Sequence, residues 1–441
     1  MSDVDVGLVS ILFVLVTVYI GIHVGVALSL ISFVGVWIMQ GDVTIAGKLL
    51  ALAAAESLQR YEFGVIPLFV LMGLFVSVSD IGRDTYDVAN HLFRKIKGGL
   101  GIATVAANTV FAAVTGTSIA SASVFTKVAV PEMLRLGYQP RFAVGVVAGS
   151  SVLGMLIPPS LLLILFGILA ETSIGDLFIA GILPGILLAG AFAVMISVMA
   201  NRWPDYVQPD MAVRMVEAQQ SELTLFGAFL KLAPIVALIV LVLGGIYGGV
   251  FTATEAGGVG ALGGFLLTLF RGKLSFANLW RVLRETGHVT AAICFLLISA
   301  HLYGRMITIS GIPMEMEAFI VSAGMSLASL IAIYLVVLVV LGTIMSAGEI
   351  MLITVPLAVP ALSVFEGVDL VWIGIITVIG VEIGLLTPPL GLACFVIHNN
   401  LQDKRITIND IFWGAAPFAL TMLVVLVLVS VFPQIALFLV Y

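Results

Sequence analysis

Runs of about twenty apolar residues return along almost the whole chain, and this recurrence fixes the fold class before any single residue is weighed. A helix of about twenty residues crosses a ~30 Å hydrocarbon core. Of 441 residues, 61% are hydrophobic and only 10% charged, whereas a soluble domain carries about 25% charged residues. Lipid satisfies no backbone N–H or C=O, so only helices and closed barrels span it. The short alternating strands of a barrel do not occur in the sequence. The chain therefore reads as an all-α polytopic membrane protein. No cleavable signal is evident, because the opening MSDVDVGLVSILF is acidic where a signal would carry Lys or Arg. No basic tract points to nucleic acid. Cys294 and Cys394 lie in apolar stretches and read as small buried hydrophobes.

Hydropathy places ten crossings near 6–21, 23–40, 62–80, 140–170, 177–200, 226–247, 253–270, 289–309, 370–398 and 411–437. Two apolar stretches, 98–134 and 318–364, are too long for one span and carry small or polar residues midway. Each reads as a re-entrant hairpin. Segments 44–60 and 275–288 mix charge with apolar residues and suit interfacial helices. With the N-terminus outside, sixteen of the nineteen Lys and Arg fall in inner segments 83–97, 127–141, 202–231, 271–284 and 404–405. Lys48, Arg60 and Arg305 are the remainder. That bias is the positive-inside rule.

The sequence also repeats. TSIGDLFIAGILPG (172–185) resembles ITINDIFWGAAPF (406–418), LIPPS (156–160) answers LTPPL (386–390), and VSVSDI (76–81) answers ITISGI (307–312). All three matches lie 230 to 234 residues apart. They divide the chain into halves 1–205 and 226–441 joined by a cytoplasmic connector, 206–225. Five crossings per half would invert the second half relative to the first. Inverted repeats with corresponding broken helices are a signature of secondary transporters.

Two prolines inside a span sharpen this reading, since each costs about 3 kcal/mol in a helix interior. Pro158-Pro159 interrupts the span at 140–170 and Pro388-Pro389 the span at 370–398. Each follows a polar hairpin tip, VTGTSIASASV (114–124) or LGTIMSAGEIM (341–351). Backbone freed at mid-membrane is tolerated where it lines a polar cavity, with carbonyls for a cation and half-helix N-termini for an anion. Neutral oxygen ligands suit Na⁺. A substrate would sit between the tips, near the hydroxyls of Thr117, Ser118, Ser150, Ser151, Ser346 and Thr387.

Several stretches carry a family resemblance. They include GVIPLFVLMG (64–73), GTSIASASV (116–124), PEMLRLGY (131–138) and GMLIPPSLLLILFG with SIGDLFIAGILPG (154–185). PIVALIVLVLGGIYGGVFTATEAGGVGA (234–261) and EIGLLTPPLGL (382–392) extend it. The chain resembles the large, DctM-like membrane subunit of a tripartite ATP-independent periplasmic (TRAP) transporter, nearly end to end. The resemblance implies Na⁺-driven import of an organic anion, often a carboxylate, by an elevator mechanism in a bacterial inner membrane. It implies two partners, an extracytoplasmic solute-binding protein and a small subunit of about four helices. The chain has no additional four-helix stretch, so that subunit is expected as a separate polypeptide. Carried over by position, one sodium pocket lies between Gly116, Thr117, Ser118 and Gly154, Pro158. The other lies between Gly342, Thr343, Met345 and Gly384, Thr387, Pro388. The family pattern differs here at Ser346, where an acidic residue is usual, at Ala393, where Asn is common, and at Lys127, usually small.

Glu255, Glu349 and Glu382 are acidic residues placed within membrane segments, which makes them functional candidates. Glu255 is remote from both breaks and reads as a structural anchor. Glu349 and Glu382 adjoin the second tip and break and either act directly or orient backbone. Scattered Ser and Thr such as Ser29 and Thr109 bond their own helices. His23, His301 and His398 are separated in sequence and suggest packing. An intramembrane enzyme is disfavoured, since no HExxH zinc motif occurs and no base is positioned for Ser118 or Ser151. The rival transport reading is a self-sufficient Na⁺- or H⁺-coupled anion carrier of related fold that needs no binding protein.

Overall fold

The structure, a computed structural model, describes residues 2–207, 223–401, 403 and 405–441, and among these it contains helices and no strand. Most of the expected connector (208–222, with Arg214) and Lys404 fall outside the described residues. The first half runs Asp3–Tyr19, Val24–Gln40, Val43–Gln59, Val65–Val78 and Ile81–Phe93, then the hairpin Gly99–Thr115 and Ser118–Arg135. A broken span follows, Pro140–Ser151 with Leu153–Leu156, then Leu161–Leu169, and Ile174–Arg202 closes the half. The second half runs Leu225–Tyr247, Ala253–Phe270, Phe276–Ile309 and Ile312–Ser322, then the hairpin Leu327–Gly342 and Ala347–Leu362. Its broken span is Leu370–Leu385 and Leu392–Asn400, before Ile408–Val431. Ile312 and Leu392 open helices 231 residues after Ile81 and Leu161, so the element order keeps the offset of the sequence matches.

Among the described residues, six single helices are long and apolar enough to cross a membrane, and the first broken span, bent by 42°, makes a seventh. The expected spans at 6–21 and 23–40 are helices of 17 residues each. One expectation changes. Segment 275–288 is not a separate interfacial helix but the first turns of Phe276–Ile309, a single helix of 34 residues. Ser275 caps it, accepting from the Asn278 N–H at 3.1 Å, and no proline follows to stop it. In the first half the same stretch is cut at Arg60, whose extended backbone (φ −70°, ψ 124°) ends Val43–Gln59.

Segments assigned to one membrane face meet in space. Asp84 pairs with Arg271, and Lys231 bonds Asp87 at 2.5 Å, while Lys273 reaches Asp80 at 2.6 Å. All of these belong to the inner set. Arg141 and Asp410, also inner, pair at 2.6 Å. Arg60, one of the three basic residues outside the inner segments, bonds Glu171 at 2.5 Å. This agreement supports the crossing order, because a miscounted span would have sent one member of a pair to the far end.

Burial separates a centre from a periphery. Val371–Leu385 is buried along its whole length, whereas Leu225–Tyr247 turns most of its side chains outward. Small residues let the central helices touch. A Cβ on Gly145 would lie 2.1 Å from the Gly414 carbonyl oxygen, so the broken span of one half crosses the last long helix of the other at backbone contact. Glu255 is the anchor expected of it. Its carboxylate accepts from the Thr252 N–H and hydroxyl, both at 2.9 Å, and caps Ala253–Phe270.

Candidate functional site

The two tips and the two breaks meet in the centre of the molecule. The first tip is short: Thr115 ends one helix, Gly116 turns with φ +64°, and Thr117 caps the next helix by accepting from the Ala120 N–H at 3.3 Å. Its break is joined to it by the Leu161 N–H, which donates to the Gly116 carbonyl at 3.2 Å. Gly116 and Gly154 are glycine because backbone occupies their side-chain space. A Cβ on Gly116 would lie 2.6 Å from the Pro159 carbonyl oxygen, and one on Gly154 would lie 2.7 Å from that of Thr117. The second tip is longer, with Thr343–Ser346 between its helices. The Leu390 N–H donates to the Thr343 carbonyl at 3.0 Å, repeating the join of the first half. A Cβ on Gly384 would lie 2.4 Å from the Gly342 Cα.

The residues expected to wall the two pockets are thus in contact, each tip with its own break. Gly116–Ser118 lies against Gly154 and Pro159, and Gly342–Thr343 lies against Gly384 and Leu390. The Pro158-Pro159 and Pro388-Pro389 bonds are both cis. Exposure differs: Pro158 and Pro159 are buried, while Pro388, Pro389 and Leu390 are exposed. Met345 is buried, and Thr343 and Thr387 are half-buried with hydroxyls donating to Val340 and Ile383 in their own helices, both at 2.8 Å.

The halves are reciprocal. Ser118–Arg135 packs on the half-helix Leu392–Asn400, and Leu161–Leu169 packs on Ala347–Leu362. Ser123 donates to the Asn400 side-chain carbonyl at 3.2 Å. Ser118 donates to the Glu382 carboxyl, 3.0 Å from each oxygen, and both residues are buried. Four helix N-termini, at Ser118, Leu161, Ala347 and Leu392, therefore gather around the tips and breaks, where their partial positive ends favour an anion.

Not every expected hydroxyl is free for a ligand. Ser150 is fully buried and accepts from the Asn108 amide at 2.6 Å, and Ser151, equally buried, donates to the Ala148 carbonyl at 2.8 Å. The Asn108–Ser150 bond ties the first hairpin to its broken span, while Ser151 bonds within its own helix. Ser346 begins Ala347–Leu362, and its N–H donates to the Glu349 carboxylate at 2.9 Å, which assigns Glu349 to orienting backbone. Sequence reading missed Asn108 and Ser160. Ser160 caps the half-helix after the first break, its hydroxyl oxygen accepting from the Leu163 N–H at 3.3 Å. A serine directly before an apolar helix is a capping signal and was there to be read. Asn108 has no such signal, since nothing local marks a partner 42 residues away.

Two cavities, of about 810 and 460 Å³, share Arg60 and Glu171 on their walls. The Arg60 guanidinium holds the Glu171 carboxyl below its ordinary value. His301 also lines the smaller cavity, 2.8 Å from the Ser57 hydroxyl. Thr117 and Thr387 are on the walls of neither.

A profile of the family described as tripartite ATP-independent periplasmic transporter, DctM component, matches residues 11–435. The C4-dicarboxylate TRAP transporter large permease protein of Pseudomonas aeruginosa is 33% identical over 88% of this chain and 88% of its own length. The sialic acid TRAP transporter large permease protein of Vibrio cholerae is 29% identical over 87% of each chain. Among solved structures, the Alcanivorax borkumensis YdaH transporter shares the fold with a TM-score of 0.58 at 15% identity, over 84% of this chain and 86% of that one.

Proposed function

We propose, for a chain that belongs to the DctM component family of tripartite ATP-independent periplasmic transporters, the import of an organic acid coupled to Na⁺. The chain is a multi-pass inner-membrane permease subunit, and such a subunit works with a solute-binding protein and a small membrane subunit. In this reading the small subunit is a separate polypeptide and the N-terminus faces the periplasm. The observation that carries the reading is the pairing of each neutral tip with its own broken span by a backbone hydrogen bond, Leu161 to Gly116 and Leu390 to Thr343. Carbonyls at these joins would hold Na⁺ without an anionic ligand. The gathered helix N-termini would take the carboxylate of the substrate.

Movement follows from the division into centre and periphery. The hairpins and broken spans would slide as one body against the peripheral helices, carrying ions and substrate in an elevator step. The Arg60–Glu171 pair crosses that division and would break in the step. Its low cost suits this, since exposed ion pairs contribute about 0–1 kcal/mol. Each net positive charge moved inward gains about 2.3 kcal/mol per 100 mV, and 1.4 kcal/mol corresponds to about a tenfold gradient. Cotransported sodium would thereby concentrate an anion.

The test is uptake of labelled C4-dicarboxylates and other organic acids into proteoliposomes that contain the chain and its small subunit. Uptake that needs both an inward sodium gradient and the cognate binding protein is expected. Sodium-driven uptake without any binding protein would move the chain to the self-sufficient carriers. Uptake indifferent to sodium would overturn the coupling.

A further inference from the structure

We propose that Glu382 is a positioning residue that couples the two cation pockets, so that filling one sets the geometry of the other. The inference rests on the reading of the tips as sodium sites and adds a link between them. Glu382 lies in the most buried helix of the protein, with 1% of its surface exposed. A carboxyl placed there needs a reason, because burying an ionisable group costs several kcal/mol unless it is compensated. No Lys, Arg or His among the described residues lies within ion-pair distance of it. Its hydrogen-bond partner is Ser118, from the other half of the chain, 264 residues away.

The position of that bond gives it meaning. Ser118 opens the helix directly after Gly116 and Thr117, the residues that meet Gly154 and Pro159 in the first pocket. Glu382 lies two residues before Gly384, whose backbone meets Gly342 in the second pocket. One bond therefore joins the wall of one pocket to the wall of the other. Interlocked packing on both sides turns this join into a lever. A Cβ on Gly154 or Gly384 would already be too close to the facing tip, so neither tip can shift alone. A tip drawn in by a bound cation pulls Ser118, Ser118 pulls helix Leu370–Leu385, and that helix presets Gly384 against the second tip. Ser123, on the helix that Ser118 opens, also bonds Asn400, on the half-helix Leu392–Asn400 beyond the second break. Titratable residues on elements around Glu382 include Glu349, Tyr334, Cys394, His398 and Lys127, and nearer the ends of these elements Glu132, Arg135, Asp176, Arg202 and Asp410. Glu349 is engaged by Ser346 and Tyr334 by Thr377, so neither substitutes for the link.

Coupling of this kind gives steeper than hyperbolic dependence on the cation, and each site feels the other equally. The experiment is equilibrium binding of sodium to the purified complete complex, for wild type, Glu382→Gln and Glu382→Met, because uptake that needs two ions is sigmoidal even for independent sites. Gln keeps an acceptor for the Ser118 hydroxyl, whereas Met fills the space without one. The wild type and Glu382→Gln are expected to give sigmoidal curves. Glu382→Met is expected to give a hyperbolic curve with half-saturating sodium raised about tenfold, the size of one lost buried hydrogen bond to a carboxyl. A sigmoidal curve for Glu382→Met, or a hyperbolic one for the wild type, would overturn the link while leaving sodium binding intact. Should Glu382→Met not assemble, loss of sigmoidicity in Glu382→Gln would equally overturn it. A wild-type complex that binds no sodium would instead remove the reading on which it rests.

Discussion

The two broken spans follow one plan and end in opposite environments. After the first break, Pro158 and Pro159 are buried, Ser160 caps the next half-helix, and Ile174–Arg202 closes over the turn. Gly181 and Gly185 of that helix approach the backbone of Leu156 and the side chain of Ile157 so closely that any Cβ there would collide. After the second break, Pro388, Pro389 and Leu390 are exposed, and the next half-helix starts at Gly391 with φ +46° and no side-chain cap. A repeated sequence has thus given one packed break and one open one. The difference teaches that the repeat encodes the site, while the surrounding helices decide which side of it is closed in a given conformation.

Close backbone approach is where this comparison should break most easily. Gly384→Ala puts a methyl group into the Gly342 backbone and should cut uptake by more than about a hundredfold, in line with a packing cost of a few kcal/mol. Gly348→Ala, one turn into the second hairpin, meets only the Leu165 side chain at 3.6 Å and should leave uptake unchanged. Equal losses for both would show that the close approach at the second pocket carries no special weight.

Accessibility gives the next effect. In a background where Cys294 and Cys394 are replaced, Leu390→Cys should react readily with a water-soluble maleimide, and Ser160→Cys should react much more slowly. Comparable rates would mean that both breaks are open. Smaller again is the cap. Ser160→Ala removes the acceptor for Leu163 and should lower stability by about 1 kcal/mol, measurable as reduced thermal stability of the purified complex. No such loss is expected at Gly391, where no side chain caps.

The smallest effect concerns the Arg60–Glu171 pair. Because Arg60 lowers the Glu171 carboxyl below its ordinary value of 4.5, the pair is complete above that value and is lost as pH falls through the lowered one. Thermal stability of the wild type should therefore decline slightly more than that of Glu171→Gln on acidification below about pH 4.5. Identical slopes would mean that the pair is not formed in solution.

Much of this was legible in the sequence because membrane rules are strict. Apolar runs of the right length, the Lys and Arg bias and the two Pro-Pro pairs placed the breaks and the first hairpin to within a few residues, whereas the second hairpin, expected from 318, begins at Leu327 after a separate helix Ile312–Ser322. The tip and break glycines were also legible, since a small residue beside a broken span marks backbone contact. Segment 275–288 was misread because its charges suggested an interface, whereas helix continuity depends on the next stop signal, and none follows Ser275. Ser150 and Ser151 looked like ligand hydroxyls for the same reason that Ser118 did. Their use depends on Asn108 and on the rotation of one helix, and periodicity in an all-apolar span does not specify rotation. The Ser118–Glu382 bond joins residues from the two halves, so it was hidden until the halves were folded together.

The most direct measurement is the number of sodium ions bound by the purified complex at saturation, by equilibrium binding, for wild type, Gly154→Ala and Gly384→Ala, each shown to elute as an intact complex. The account predicts that each substitution removes one bound ion, Gly154→Ala from the first pocket and Gly384→Ala from the second. An unchanged number in both variants would contradict the assignment of the cation pockets to the joins between tips and breaks.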